Sequence, residues 1–170
     1  QPVIGGRSAR LTLKSRPGDE YHFDRGPTFF LMPYVLDEIF AASGRRLADY
    51  AELTRLDPMY RLVIGSPGGA APTTIDCTQD VAEMSRRLAA LDPRDGANFP
   101  RFIADNRAKL SVFEPVLRKP FRTATDLLDP ALLRAAPRLK PLTSVHGYLS
   151  GYFRDPRVRL ALSFQTKYLG

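Results

Sequence analysis

A single cysteine, Cys77, stands among 170 residues, together with two histidines and no tryptophan. One cysteine excludes an internal disulfide, and so few thiol and imidazole groups leave nothing to build a zinc-type cluster, so no metal is expected. No apolar run approaches the ~20 residues that cross a bilayer as a helix. The opening stretch, Gln1-Pro2-Val3-Ile4-Gly5-Gly6-Arg7, has neither the basic nor the apolar segment of a secretory leader. These absences make a reducing, cytoplasmic setting the expectation. Also missing are G-x-S-x-G, H-E-x-x-H, the P-loop pattern and G-x-G-x-x-G, and there is no internal repeat. Cys77 has no basic neighbour in sequence to activate it and reads as a small buried hydrophobe. His22 and His146 read as surface or hydrogen-bonded histidines rather than ligands.

What the chain does have is an uneven charge. Residues 1–85 hold 9 Lys/Arg and 11 Asp/Glu, net −2, whereas residues 86–170 hold 16 and 7, net +9, which together make the overall +7. A basic half attracts nucleic acid, an acidic protein or an anionic lipid surface. Its cations are scattered and belong to no nucleic-acid motif, so nucleic acid is not the expected partner.

The hydrophobic pattern divides the chain into a hairpin-rich first part and a helical second part, an α+β protein. Leu11 and Leu13 alternate with polar neighbours, Arg16-Pro17-Gly18-Asp19 is a turn, and Tyr21-His22-Phe23 alternates again, which predicts a β-hairpin with one buried face. Pro33 opens a helix running through about Ser43, with Val35, Leu36, Ile39 and Phe40 on one face and Gly44 as its stop. After a short helical stretch near 47–53, residues 59–64 and 73–77 predict a second hairpin around Gly65-Ser66-Pro67-Gly68-Gly69. Helices are predicted over 80–91, 94–117, 123–135, 142–153 and 156–169. Asp129-Pro130 and Asp155-Pro156 each read as an N-cap followed by proline at the first helical position.

Two glycine turns flank the first hairpin. Gly5-Gly6 permits close backbone approach to a ligand because no Cβ intervenes, and Arg7 offers a planar fork of donors suited to phosphate. Gly26-Pro27-Thr28 supplies a second approach and a hydroxyl.

With these residues in place, the chain resembles a family. Gly5-Gly6-Arg7-Ser8, the hairpin, and Phe23-Asp24-Arg25-Gly26-Pro27-Thr28 resemble the GGRA…FDxGPT stretch of the bacterial phytoene desaturases, FAD-dependent carotenoid dehydrogenases of the amine-oxidase-like flavoprotein superfamily. The likeness continues through Asp57-Pro58-Met59-Tyr60-Arg61-Leu62, Leu132-Leu133-Arg134-Ala135-Ala136-Pro137 and Tyr152-Phe153-Arg154-Asp155-Pro156-Arg157-Val158-Arg159. It closes on Ser163-Phe164-Gln165-Thr166-Lys167-Tyr168-Leu169-Gly170, similar to the family's S-F-x-[ST]-x-x-x-G.

The resemblance implies an internal fragment of a longer enzyme: 1–44 as part of an FAD-binding region, 45–79 as substrate-domain strands, and 80–170 as a helical cap facing substrate and membrane. It implies that Gly5, Gly6 and Arg7 line the FAD phosphates and that Gly26, Pro27 and Thr28 approach the flavin. The segment by itself is expected neither to retain FAD nor to turn over. The implied substrate is a long apolar polyene, with the protein associated peripherally with a membrane. Asp126 or Asp129 with Arg134 is the candidate acid/base set, because these residues fall close together in a predicted helical turn amid leucines. Carotenoid isomerases, ketolases and oxygenases share the scaffold, and a non-catalytic apolar-ligand or membrane-binding module derived from the cap is the alternative of a different class.

Overall fold

The computed structural model describes residues 6, 9–26, 30–65, 68, 71–164 and 166, which fall into two units, Gln1–Thr54 and Arg55–Gly170. Among the described residues, two small antiparallel sheets and six α-helices make an α+β architecture, as the periodicities indicate.

In the first unit β1 (Arg10–Lys14) pairs with β2 (Glu20–Asp24), Leu11 opposite Phe23 and Leu13 opposite Tyr21. Side chains alternate across a strand, so these four share one face, while Thr12, His22 and the charged residues take the other. The Thr12 hydroxyl and His22 Nδ1 lie 3.1 Å apart on that polar face. The chain enters α1 (Pro33–Ala42) with proline in its first turn and leaves it through Gly44, at φ 72°. A left-handed residue just past a helix is a position glycine fills without a Cβ clash. One 3₁₀ turn (Leu47–Asp49) follows, with Leu47 buried and Phe40 packed on Tyr50. Val35 and Ile39, expected on a covered face, are exposed, as are all four apolar side chains of the hairpin. The face expected to be buried is not, because a two-stranded ribbon brings no second layer of its own to cover it.

The second unit carries the core. β3 (Tyr60–Ile64) and β4 (Thr73–Cys77) pair from Tyr60 opposite Cys77 to Ile64 opposite Thr73. Ile75 and Cys77 are buried against Met84 and Leu88 of α2 (Val81–Ala89), and Phe99 of α3 (Pro93–Leu117) joins the same cluster. Burial pushes the Cys77 thiol up, in keeping with a packing role. Asp80 caps α2 by accepting from the Glu83 N–H, and Asp92 caps α3 by accepting from the N–H groups of Arg94 and Asp95. α3 runs through Pro100 and Pro115 without ending.

At Gly96 α3 packs directly on α2: a Cβ there would lie 2.5 Å from both the Ala89 Cβ and the Ser85 carbonyl oxygen. Gly96→Ala is therefore expected to cost about 2 kcal/mol by forcing the helices apart. A urea titration should show a lower midpoint with an unchanged slope.

The helix expected over 123–135 is two elements, a 3₁₀ segment (Ala124–Leu128) and α4 (Pro130–Leu139). Pro130 crowds Asp129 out of the helical region, to φ −54° and ψ 126°, and so interrupts the run. α4 ends at Lys140 in a left-handed conformation. α5 (Val145–Ser150) is shorter than the predicted 142–153 because Ser144 caps it by accepting from the Gly147 N–H. α6 covers Pro156–Ser163, with Asp155 as its cap, while 165 and 167–169 of the predicted 156–169 lie outside the described residues.

Candidate functional site

The first hairpin brings Gly6 and Gly26 to one end. Gly6 sits at φ 53°, in the left-handed region, and its carbonyl accepts from the Ala9 N–H at 3.3 Å. The Ala9 carbonyl in turn accepts from the Arg25 N–H at 3.2 Å, extending the ladder one step past the Arg10–Asp24 pair. Gly6 and Gly26, 20 residues apart in sequence, thus lie at the open end of the same ribbon. Bare backbone at Gly6 suits close approach of a large ligand, and the left-handed φ explains why glycine stands there. Gly5, Arg7, Pro27 and Thr28 lie outside the described residues.

The structure brings Asp126 and Asp129 close in the chain but gives each its own work. Asp126 Oδ2 accepts from the backbone N–H groups of Arg122 and Thr123, both at 2.7 Å, closing a capping box. Those N–H donors hold its carboxyl below the usual carboxylate range. Asp129 Oδ1 accepts from the N–H groups of Ala131 and Leu132, while its Oδ2 takes the Lys119 ammonium at 2.6 Å. That ammonium, and next the Ala131 N–H, depress its carboxyl as well. Arg134 reaches neither carboxylate; its Nε donates to the Pro130 carbonyl at 3.2 Å. Both aspartates therefore serve as caps, and the hydrogen bonds of the three residues go to separate partners.

A polar clasp that the sequence reading did not single out holds residues 152–159. Asp95, 0% exposed, accepts from the N–H groups of Arg154 (2.8 Å) and Asp155 (2.9 Å). Asn98 donates to the Tyr152 carbonyl at 2.9 Å, and the Tyr152 hydroxyl donates to Asp105 at 2.6 Å. Desolvation and the neighbouring Asp105 push that phenol well above its ordinary range. Asp155 caps α6 and receives the Arg157 guanidinium through both oxygens, while Arg157 Nη1 donates to Thr73 Oγ1 on β4 at 3.2 Å. Arg159 Nη1 donates to the carbonyls of Phe153 (3.0 Å) and Arg154 (2.7 Å). An acidic residue in the first turn of a helix is ordinary for its dipole, so Asp95 carried no distinguishing signal. The adjoining Gly96 was the one hint of close approach.

Among the described residues, no group of His, Cys, Asp and Glu is arranged to hold a metal ion, and no helix is long and apolar enough to cross a membrane.

No protein-family model matches the chain. Comparison with individual curated proteins nevertheless relates it, over nearly its whole length, to the phytoene and carotene desaturases. It is 34% identical over 171 residues to an all-trans-zeta-carotene desaturase of Myxococcus xanthus and 32% identical over 167 residues to a zeta-carotene-forming phytoene desaturase of the same organism. It is likewise 32% identical over 167 residues to a 4,4'-diapophytoene desaturase of Methylomonas sp. These alignments cover 98–99% of this chain and 30% of each relative, so the chain spans less than a third of the proteins it matches.

Proposed function

We propose that this chain is a segment of an FAD-dependent oxidoreductase that dehydrogenates a long apolar polyene of the carotenoid-precursor class. The observation that carries the reading is the similarity to desaturases along nearly the whole chain. The ribbon end fits a dinucleotide: left-handed Gly6 and the neighbouring Gly26 leave backbone unshielded where a phosphate or a flavin ring must come close. Gly5, Gly6 and Arg7 would hold the pyrophosphate, and Gly26, Pro27 and Thr28 would approach the isoalloxazine. FAD, when bound, supplies the two-electron acceptor that takes up the hydrogen pair lost from the polyene. A hydrocarbon offers no polar handle, so the protein's own contribution is apolar walls that exclude water and set the position of the reacting carbons.

The test is flavin retention by the longest form of the protein that can be expressed. A β-branched residue at a left-handed φ costs upwards of about 1–2 kcal/mol, so Gly6→Val should weaken FAD binding roughly tenfold or more. Flavin absorbance after gel filtration reads this independently of turnover. Full retention by Gly6→Val, or a protein that never binds flavin, would remove the basis of the reading.

We further propose that the basic helical unit works against an anionic bilayer. Leu117, Phe121, Leu127, Leu128, Leu133 and Leu142 are all exposed, Leu142 completely, along a stretch that also carries Arg122, Arg138 and Lys140. Apolar side chains set among cations are the composition of an interfacial surface. The cations at 157 and 159 are engaged within the clasp instead. Replacing Arg122, Arg138 and Lys140 by alanine should weaken binding to phosphatidylglycerol vesicles about a hundredfold, at ~1 kcal/mol per cation, and wild-type binding should fall with added salt. Salt-insensitive binding that the triple variant shares would contradict this.

A further inference from the structure

We infer that the groove between α5 and α6 is a binding site for an oxyanion head attached to an apolar chain, with Arg159 as its anchor. A recess of about 280 Å³ is lined by Val145, His146 and Leu149 on one side and by Pro156, Arg159, Leu160, Ser163 and Thr166 on the other. The guanidinium group decides what it takes. Arg61 and Arg157 show how this chain satisfies a guanidinium: each presents its Nε–H and Nη2–H edge to the two oxygens of a carboxylate, Asp76 and Asp155 respectively. That side-on fork matches two oxygens at once and is the geometry in which arginine binds carboxylate or phosphate most strongly.

Arg159 leaves the same edge without an oxygen partner. Its Nη1 is spent on the carbonyls of Phe153 and Arg154, which fixes the plane of the group. Its Nε is buried with no hydrogen-bond partner, and its Nη2 has none among the described residues. Asp95, the nearby buried carboxylate, gives both oxygens to backbone N–H groups. A buried N–H without a partner has lost its water and gained nothing in return, a cost that an incoming oxyanion would recover. The imidazole of His146 stands at the rim as a further donor, whereas the hydroxyls of Ser163 and Thr166 spend their protons on the carbonyls of Leu160 and Ser163. Val145, Leu149, Pro156 and Leu160 make the remaining wall apolar. A bare anion would leave that wall wet. A fatty carboxylate or the phosphate of a lipid, with its first methylenes, fits both halves.

The Arg159 Nε–H resonance of the full chain reports on the site directly by NMR. Decanoate should shift this resonance at concentrations about tenfold below those needed for acetate, the apolar wall accounting for the difference. Arg159→Lys keeps the charge but loses the fork and should weaken decanoate binding about tenfold. Because Arg159 also holds two carbonyls, Leu160→Asp is the second variant: an exposed position where added negative charge should weaken decanoate to a similar extent without touching the clasp. A shift with phosphatidylglycerol vesicles and none with decanoate would assign the oxyanion to a lipid phosphate; a shift with decanoate would assign it to a free acid. An Nε–H already hydrogen-bonded before any addition, equal response to acetate and decanoate, or no response to either decanoate or vesicles would overturn the proposal.

Discussion

Asp95→Ala should lower the stability of the helical unit by about 3 kcal/mol, a large share of what a domain of this size has to lose. The carboxylate is wholly buried and is the acceptor for two backbone N–H groups at the start of α6. Removing it strands both donors, and each unsatisfied donor costs about 1–3 kcal/mol. Asp95→Asn keeps one acceptor oxygen and turns an amide N–H toward the other donor, so its cost should fall between alanine and wild type. The two variants also differ in pH response. Burial holds the Asp95 carboxyl above its ordinary value, so the folded state takes up its proton more readily than the unfolded chain. Stability from this group is therefore fully present below the ordinary carboxyl value and declines as pH rises toward the raised one. Asparagine does not titrate, so the penalty of Asp95→Asn should shrink as pH rises through that interval. The caps run the other way. Asp129 and Asp155, held low chiefly by Lys119 and Arg157, stabilise at neutral pH and lose that contribution as pH falls through their depressed values. Chemical denaturation of wild type and Asp95→Asn at a series of acidic pH values separates the two. A pH-independent difference between them would refute the assignment.

Phe153→Ala should cost about 4 kcal/mol. The ring is 1% exposed, the largest fully buried side chain described, and meets Phe102 edge-on at 5.2 Å between centroids. Truncation removes the transfer free energy of the ring and leaves a void that the clasp on either side, Asn98 on Tyr152 and Asp95 on Arg154, prevents from collapsing. Phe153→Leu fills most of that void and should cost less than half as much. A thermal unfolding series reads both. A loss of only about 1 kcal/mol for alanine would mean that the site relaxes and that the clasp is softer than its hydrogen bonds imply.

Local signals in this sequence were the legible ones. Asp-Pro at 129–130 and 155–156, Pro33 with Gly44, and the alternation around Leu11 and Phe23 each specify an element within a few residues, and each stands where the pattern puts it. The break between 128 and 130 was also written in the chain, since a proline restricts the residue before it, but the leucine spacing on both sides imitates one helix. What could not be read was anything that joins distant residues. Asp95 meets residues 59 and 60 positions away, and Asn98 meets one 54 away. No periodicity in one chain reports such pairs. For the same reason the acid/base reading of Asp126, Asp129 and Arg134 rested on nearness in sequence, whereas the hydrogen bonds divide them among separate partners. The Tyr152–Arg159 stretch, which carries part of the family resemblance, also holds α3, α6 and β4 together.

The clasp also bears on how such proteins can diverge. Because Asp95 pins the chain at 154–155, the stretch between the end of α3 and Ser144 leaves and returns to fixed points. The entropy of closing a loop grows only with the logarithm of its length, about 0.6 kcal/mol for each doubling. Insertions and deletions between Arg118 and Ser144 are thus thermodynamically cheap so long as α4 keeps Ala135 buried. The exposed leucines and arginines of that stretch can be lengthened, shortened or redistributed between lineages while the fold beneath is left as it was.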